Sequence, residues 1–132
     1  MKYMLIMNTP RDGYEQYLSW PKKDLEANSA FMIAFTRKLA AAGELVGAEG
    51  LASPTQAKLV RAGKDGKPIT DGVFPESKEF LAGYWIVDVD SPERAYQIAA
   101  EASTAPGPGI RGVEALWVEV RQVMSGNEDL TK

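Results

Sequence analysis

The sequence predicts a single α+β domain in which an antiparallel sheet carries two helices on one face. Segments with strand and helix patterns follow one another as β-α-β, a hairpin, and a second β-α-β along the 132 residues. No internal linker is long enough to divide the chain. A chain of this length buries roughly two thirds of its unfolded surface in one core. We therefore assign residues 1–124 to one domain and residues 125–132 to a frayed tail.

The first third of the chain predicts a strand and a long helix. Lys2–Asn8 is almost continuously apolar, which is typical of a strand that is covered on both faces. Residues 9–20 are predicted to form a connection that carries three aromatic side chains. A helix is predicted from Pro21 to Ala42 because apolar residues recur at helical spacing, and Gly43 is placed to end it in a left-handed conformation.

The middle of the chain predicts a short strand followed by a hairpin. Residues 44–50 form a Gly-rich strand that contains Glu49. This side chain is either an exposed residue at a bulge or a ligand-binding group at a point where the backbone approaches a ligand closely. Residues 57–72 are predicted to form a hairpin around the turn at residues 63–67.

The remaining elements are a central strand, a helix and a last strand. Residues 81–89 carry apolar side chains on both faces. Because two helices cover only one face of a sheet, we expect the other face to be covered by a second copy, in a homodimer that packs sheet against sheet. Ser91 is the predicted N-cap of a helix that begins at Pro92, and residues 113–123 alternate as the last strand.

The composition excludes several classes of function. The chain has no His and no Cys, so a Ser-His-Asp triad, a thiolate nucleophile and metal sites built on His or Cys are excluded. The net charge is −3 and the basic residues are dispersed, so we expect no nucleic-acid partner. The apolar start is too short for a signal peptide or a membrane span, which predicts a cytoplasmic protein without a membrane partner.

The segment of residues 70–79 holds the densest group of charges and directly precedes the central strand. Its charged side chains are either ordinary solvated groups or a set that surrounds a cleft. In the second interpretation Asp71 and Glu76 are catalytic, since a carboxylate must replace the missing His as general base. Lys78 and Glu79 then bind the substrate. The carboxylates lack the spacing of a known metal site, so no metal or other cofactor is predicted.

A second candidate site lies on the last strand, where Trp117, Glu119 and Arg121 share one face. The Glu and Arg side chains are either a structural ion pair or part of a substrate site. If the apolar residues between them face the helices, this polar and aromatic face lines the cleft of the expected dimer. We expect Trp85 to point into the same cleft and to bind the substrate there.

The run from Asp71 to Glu79, followed by Gly83-Tyr84-Trp85, resembles the signature of the YCII-related DGPF (DGPFAETKE) family. Similar residues at the start of the chain, at 47–51 and at 118–123 extend the resemblance over nearly the whole domain. The chain departs from the signature at three loop positions that leave its charges in place: Val73, Pro75 and Ser77.

The resemblance implies a ferredoxin-like subunit and a dimeric α+β barrel with a cleft between two packed sheets. In the wider YCII group a His-Asp pair is proposed to be catalytic, and here at most Asp71 or Glu76 remains as a lone acid. The expected function is that of a homodimeric small-molecule-binding protein, or of a carboxylate-based lyase or isomerase, with its site in the intersubunit cleft. The alternative is a non-catalytic regulatory or sensor partner of an extracytoplasmic-function sigma factor, since family members are often encoded near such factors.

Overall fold

The fold is that of a computed structural model, which describes residues 1–72, 79–108 and 116–125. Within these ranges three α-helices and six strands follow one another along the chain. They are β1 (Lys2–Thr9), α1 (Gly13–Leu18), α2 (Lys22–Ala41), β2 (Leu45–Gly50), a 3₁₀ turn (Pro54–Gln56), β3 (Lys58–Ala62), β4 (Pro68–Gly72), β5 (Phe80–Asp88), α3 (Pro92–Ala102) and β6 (Glu119–Gln122).

The main sheet has the strand order β2-β5-β1-β6, and each neighbouring pair is antiparallel. The helices α2 and α3 pack on one face of this sheet. The described strands β3 and β4 pair only with each other, as a separate hairpin. The chain therefore has an α+β, ferredoxin-like fold, which confirms the predicted fold class and the predicted hairpin.

The hydrophobic core lies between the sheet and the two longer helices. Leu5 of β1 and Val87 of β5 are completely buried, as is Ile98 of α3. Phe35 and Leu39 of α2 pack on the helix side of the core, and each is about 3% exposed. These two residues belong to the apolar stripe that predicted α2, so the helical spacing correctly identified the buried face of this helix.

Both predicted helix-end signals are confirmed. Gly43 has a φ of +72°, and the backbone N–H of Glu44 donates to the carbonyl of Leu39 across the end of α2. A left-handed residue at this position suits glycine because it has no Cβ. At the start of α3 the Ser91 hydroxyl oxygen accepts a hydrogen bond from the backbone N–H of Arg94 at 3.2 Å.

Two predicted elements differ in extent from the observed ones. Residues 9–20 were expected to form only a connection, and instead they contain α1. This helix has only six residues and buries none of them, so it lacks the buried apolar stripe that predicted α2. The last strand was predicted from residue 113 and is observed as β6 from Glu119, while residues 109–115 lie outside the described ranges.

An ion pair joins the segment after α2 to the first turn of α3. The Arg94 Nε and Nη2 atoms donate to the two carboxylate oxygens of Glu44, each at 2.8 Å. The Glu44 side chain is 17% exposed and that of Arg94 is 39% exposed. The hydrogen bonds from Arg94 lower the pKa of Glu44 below 4.5, with burial acting in the opposite direction.

We expect the substitution Glu44→Gln to lower the free energy of unfolding by about 1 kcal/mol at neutral pH. The folded chain has the lower Glu44 pKa, so this stabilisation is complete above the unfolded value and disappears as the pH falls through the folded one. Urea denaturation of both proteins between about pH 7 and about pH 3 measures the difference.

The control for this prediction is Glu101→Gln, which removes the exposed pair of Glu101 with Lys38 at 2.6 Å. Exposed pairs contribute little, so we expect a change below about 0.5 kcal/mol. A difference between the wild type and Glu44→Gln that persists unchanged at the acidic end would contradict the role assigned to the Arg94 pair.

Candidate functional site

A cavity of about 970 Å³ lies on the helix-facing side of the main sheet, between α1, α2 and the ends of three strands. The interface of α3 with the sheet is buried and is formed by Ala95, Ile98, Ala99 and Ala102. The floor of the cavity is formed by residues of the strands, and the two helices form its walls. The residues that line the cavity include Tyr14, Tyr17, Trp20, Asn28, Met32, Thr36, Arg37, Ala48, Glu49 and Trp85.

The first wall is aromatic and comes from α1 and the residues just after it. Tyr14, Tyr17 and Trp20 all line the cavity, and the rings of the last two lie 5.0 Å apart at 59°. The helix is tied to the 3₁₀ turn by the Ser53 hydroxyl, which donates to Glu15 Oε1 at 2.8 Å. Because α1 buries no residue in the core, its aromatic side chains are available to a ligand.

The second wall is one side of α2. Asn28, Met32 and Thr36 are spaced four residues apart and therefore lie one above another on the same side of the helix. The indole N–H of Trp85 donates to Thr36 Oγ1 at 3.1 Å, and the Asn28 Nδ2 donates to the carbonyl oxygen of Pro106 at 2.9 Å. This wall thus alternates polar, apolar and polar groups along its length.

The floor is made where β2 and β5 approach closely. Ala48 pairs with Trp85, and Gly50 pairs with Gly83. A Cβ atom on Gly83 would lie 2.9 Å from the carbonyl oxygen of Glu49, so the absence of a side chain lets the two strands pair here. The small residues on this floor leave the space that the cavity occupies.

The electrostatics of the cavity are nearly balanced. Among the described lining residues the charged side chains are Arg37 and Glu49, and both are exposed to solvent. The remaining groups are aromatic rings, aliphatic side chains and neutral hydrogen-bonding groups. Such a lining suits a mainly apolar molecule with a few polar groups, because apolar surface supplies affinity and a few polar contacts fix orientation.

Comparison with known proteins identifies the domain. The profile of the YCII-related domain matches residues 1–114. This chain belongs to the YCII-related family. An uncharacterized protein of Rhizobium meliloti (strain 1021) is 31% identical to the YCII-related chain over 99 residues, which cover 74% of this chain and 80% of that protein. The carboxylate-based reaction and the sigma-factor partner expected from the sequence stay predictions.

The match includes α1, α2 and the strands β1, β2 and β5, so the cavity walls and floor belong to the YCII-related region. No helix in the described ranges of this YCII-related chain is long and apolar enough to span a membrane.

The predicted orientation of Trp85 is wrong. The side chain does not share a face with Trp117, since it is only 5% exposed and packs edge-to-face against Phe35 of α2, with ring centroids 5.2 Å apart. The register explains the orientation, because Trp85 pairs with Leu5, a core residue whose side chain faces the helices. Trp85 still lines the cavity of this YCII-related domain, from the side opposite to that predicted.

The residues of the YCII-related signature are not all placed at the cavity. Asp71 lies on the exposed strand β4, where its Oδ1 accepts a hydrogen bond from the Gly72 N–H, and it does not line the cavity. Glu79 is exposed beside β5. Glu76 and Lys78 lie outside the described residues. The catalytic roles of Asp71 and Glu76 therefore stay predictions, while Glu49 does line the cavity.

The polar residues of β6 face away from the cavity. Glu119 pairs with Ile6 and Arg121 with Met4, whereas the core residue Leu5 pairs with Val120. The Arg121 Nε lies 3.8 Å from Glu119 Oε2, with both side chains well exposed, which agrees with the structural ion pair considered from the sequence. Trp117 is 96% exposed and is the most accessible large side chain among the described apolar residues.

Several cavity residues had no role in the sequence-based interpretation. Asn28 and Thr36 interrupt the apolar stripe of α2 with polar groups on its inward side, and this interruption was the available signal. The aromatic residues 14, 17 and 20 recur every three positions, which is the spacing of one helix face. Neither pattern indicates by itself that the two helices leave a space between them.

Proposed function

We propose that this YCII-related protein binds a small, mainly apolar, ring-bearing molecule in the cavity between α1, α2 and the sheet. The observation that carries the proposal is the cavity itself, whose volume of about 970 Å³ falls in the range of small-molecule sites. Aromatic side chains on its α1 wall favour a flat ring as the ligand's body, because offset or edge-on ring contacts add to the energy of burial.

The proposal predicts that a larger side chain at Ala48 prevents binding. Ala48 lies on the floor beside Trp85, so a Phe side chain there projects into the space of the ligand. We expect Ala48→Phe to weaken the binding of 1-anilinonaphthalene-8-sulfonate by at least about tenfold. Fluorescence titration of this dye measures the affinity, and circular dichroism verifies the fold.

The matched control is Val46→Phe, two residues away on the same strand. Val46 is 49% exposed and does not line the cavity. The control is expected to bind the dye like the wild type. If the two variants have equal dye affinities, or if the wild type does not bind the dye, the cavity is not a ligand site.

We also propose that the uncovered face of the main sheet joins a second copy of the chain. Ile6 pairs with Tyr84, and Met4 pairs with Ile86, in the middle of this face. All four side chains are partly exposed, and they form an apolar centre between the charged groups of β6 and β2. A second copy that presents the same face would bury this centre symmetrically.

The proposed dimer predicts that a charged side chain at position 86 prevents association. In size-exclusion chromatography with light scattering, we expect the wild type at twice the chain mass of 14.4 kDa. Ile86→Arg is expected at the mass of one chain, because the interface would bury an unpaired charge. Tyr96→Arg on the exposed side of α3 is the control, since Tyr96 is 55% exposed and should leave the mass unchanged. A wild-type mass of one chain would rule out the dimer.

A further inference from the structure

Asn28 is the most deeply buried polar side chain in the cavity wall. It lies near the middle of α2, is 5% exposed and lines the cavity. Asn is seldom placed on the inward side of a helix, because its amide must find partners there. The structure gives the amide one: Nδ2 donates to the carbonyl oxygen of Pro106, in the segment that follows α3, at 2.9 Å.

The other polar atom of the amide, Oδ1, forms none of the described hydrogen bonds. Asn28 Oδ1 has no hydrogen-bond partner among the described residues. In the same ranges every completely buried side-chain nitrogen or oxygen has a hydrogen-bond partner. Because Oδ1 has none, it is not completely buried. The space that Asn28 lines is the cavity. The bond to Pro106 fixes the orientation of the amide and thereby presents Oδ1 as a pre-oriented acceptor.

We propose that Asn28 determines the specificity of the cavity by accepting a hydrogen bond from a neutral donor on the ligand. This inference rests on the proposed function, and it narrows the ligand class to ring compounds that carry a hydroxyl or an amide N–H. A hydroxyl suits the site best, because it donates to Oδ1 and also accepts from the second hydrogen on Nδ2.

The surroundings of Asn28 favour a neutral group over a charged one. Its neighbour along the wall is Met32, and the charged lining residues Arg37 and Glu49 are both exposed to solvent. A ligand ion placed beside Asn28 would lose its hydration without a counter-ion, which is costly. A ligand without a donor would instead cover Oδ1 and leave it unsatisfied, which lowers affinity by about 10–100-fold.

The test compares two probes of nearly equal size. 2-Naphthol carries a hydroxyl, and 2-methoxynaphthalene replaces its hydrogen with a methyl group and cannot donate. The two dissociation constants are measured by displacement of 1-anilinonaphthalene-8-sulfonate. We expect the wild type to prefer 2-naphthol by about tenfold or more, and Asn28→Leu to bind the two probes within about twofold of each other. Ser29→Leu, on the exposed side of α2, should keep the wild-type preference.

A purely structural role of Asn28 in holding Pro106 predicts a different result. Loss of the hydrogen bond to Pro106 would weaken the binding of both probes equally and leave the ratio of their dissociation constants unchanged. That result would overturn the inference. If both probes bind the wild type equally, only this inference fails. If neither probe binds in the cavity, the proposed function fails with it.

A measurement on the wild type alone covers the case in which Asn28→Leu does not fold. The side-chain ¹H–¹⁵N signals of Asn28 are followed by nuclear magnetic resonance while each probe is added. We expect 2-naphthol to shift these signals and 2-methoxynaphthalene to shift them much less at equal occupancy. Equal shifts with the two probes, or none with either, would overturn the role of Asn28.

Discussion

Replacing Trp85 with alanine is expected to lower the free energy of unfolding by about 3–5 kcal/mol. The indole is 5% exposed and packs edge-to-face against Phe35 at a centroid distance of 5.2 Å. Its N–H also donates to Thr36 Oγ1, so the substitution removes a ring contact and a hydrogen bond and enlarges the space beside α2. Guanidinium denaturation followed by circular dichroism measures the loss.

The control for Trp85 is Trp117, which the sequence predicted to lie in the same cleft. Because Trp117 is 96% exposed, Trp117→Ala is expected to change the unfolding free energy by no more than about 0.5 kcal/mol. The pair of variants thus separates the observed orientation of Trp85 from the predicted one. Similar small losses for both variants would mean that Trp85 does not belong to the core.

Adding one methyl group at Gly83 is expected to destabilise the sheet by about 1–3 kcal/mol. An alanine Cβ would lie 2.9 Å from the Glu49 carbonyl oxygen and 3.3 Å from the Gly50 Cα. These atoms belong to the backbone of β2, so no side-chain rotation relieves the contact, and β2 must move away from β5. The same displacement would widen the cavity floor and should weaken dye binding together with stability.

Gly50→Ala is the matched control, because Gly50 pairs directly with Gly83 across the two strands. A Cβ at Gly50 meets no atom within 4 Å. We expect its unfolding free energy to stay within about 0.5 kcal/mol of the wild type. Equal losses in the two variants would show that the contact of residue 83 with β2 does not explain the effect.

The parts of the fold that follow from local chemistry could be predicted from the sequence. The ends of α2 and α3 were marked by Gly43 and by Ser91-Pro92, whose roles depend on backbone conformation and side-chain hydrogen bonding within a few residues. The hairpin of β3 and β4 was marked by its turn residues. The number and order of strands then restricted the topology to an antiparallel sheet with one covered face.

The orientation of Trp85 could not be predicted, because a strand that is apolar on both faces gives no indication of which face the helices cover. The pairing of Trp85 with Leu5 determines the face on which the indole lies, and this pairing joins residues that are distant in the sequence. The cavity was missed for the same reason. It depends on how far α1 stands from α2, and none of the residues that line it determines this distance alone.

The charged segment of residues 70–79 is described only at its two ends, and the described part does not line the cavity. Asp71 lies on a hairpin that does not pair with the main sheet, and the cavity is built from residues with ordinary patterns. The charges of residues 70–79 predict a site that stays a prediction, whereas the proposed ligand site uses neutral lining groups such as Asn28 and Thr36. Neutral polar residues within an apolar helix face are therefore the sequence feature that indicates the proposed site.

The strand order β2-β5-β1-β6 has a consequence for the biosynthesis of the protein. The inner strand β1 precedes the other described strands along the chain, yet its partners β5 and β6 are the last two of them, and the bond from the Met1 amino group to Asp88 joins groups 87 residues apart. During synthesis on the ribosome, β1 has neither of its neighbouring strands to pair with until most of the chain has emerged. Such non-local pairing slows folding and prolongs the exposure of an apolar strand, so the nascent chain should depend on protection against aggregation until β6 is released.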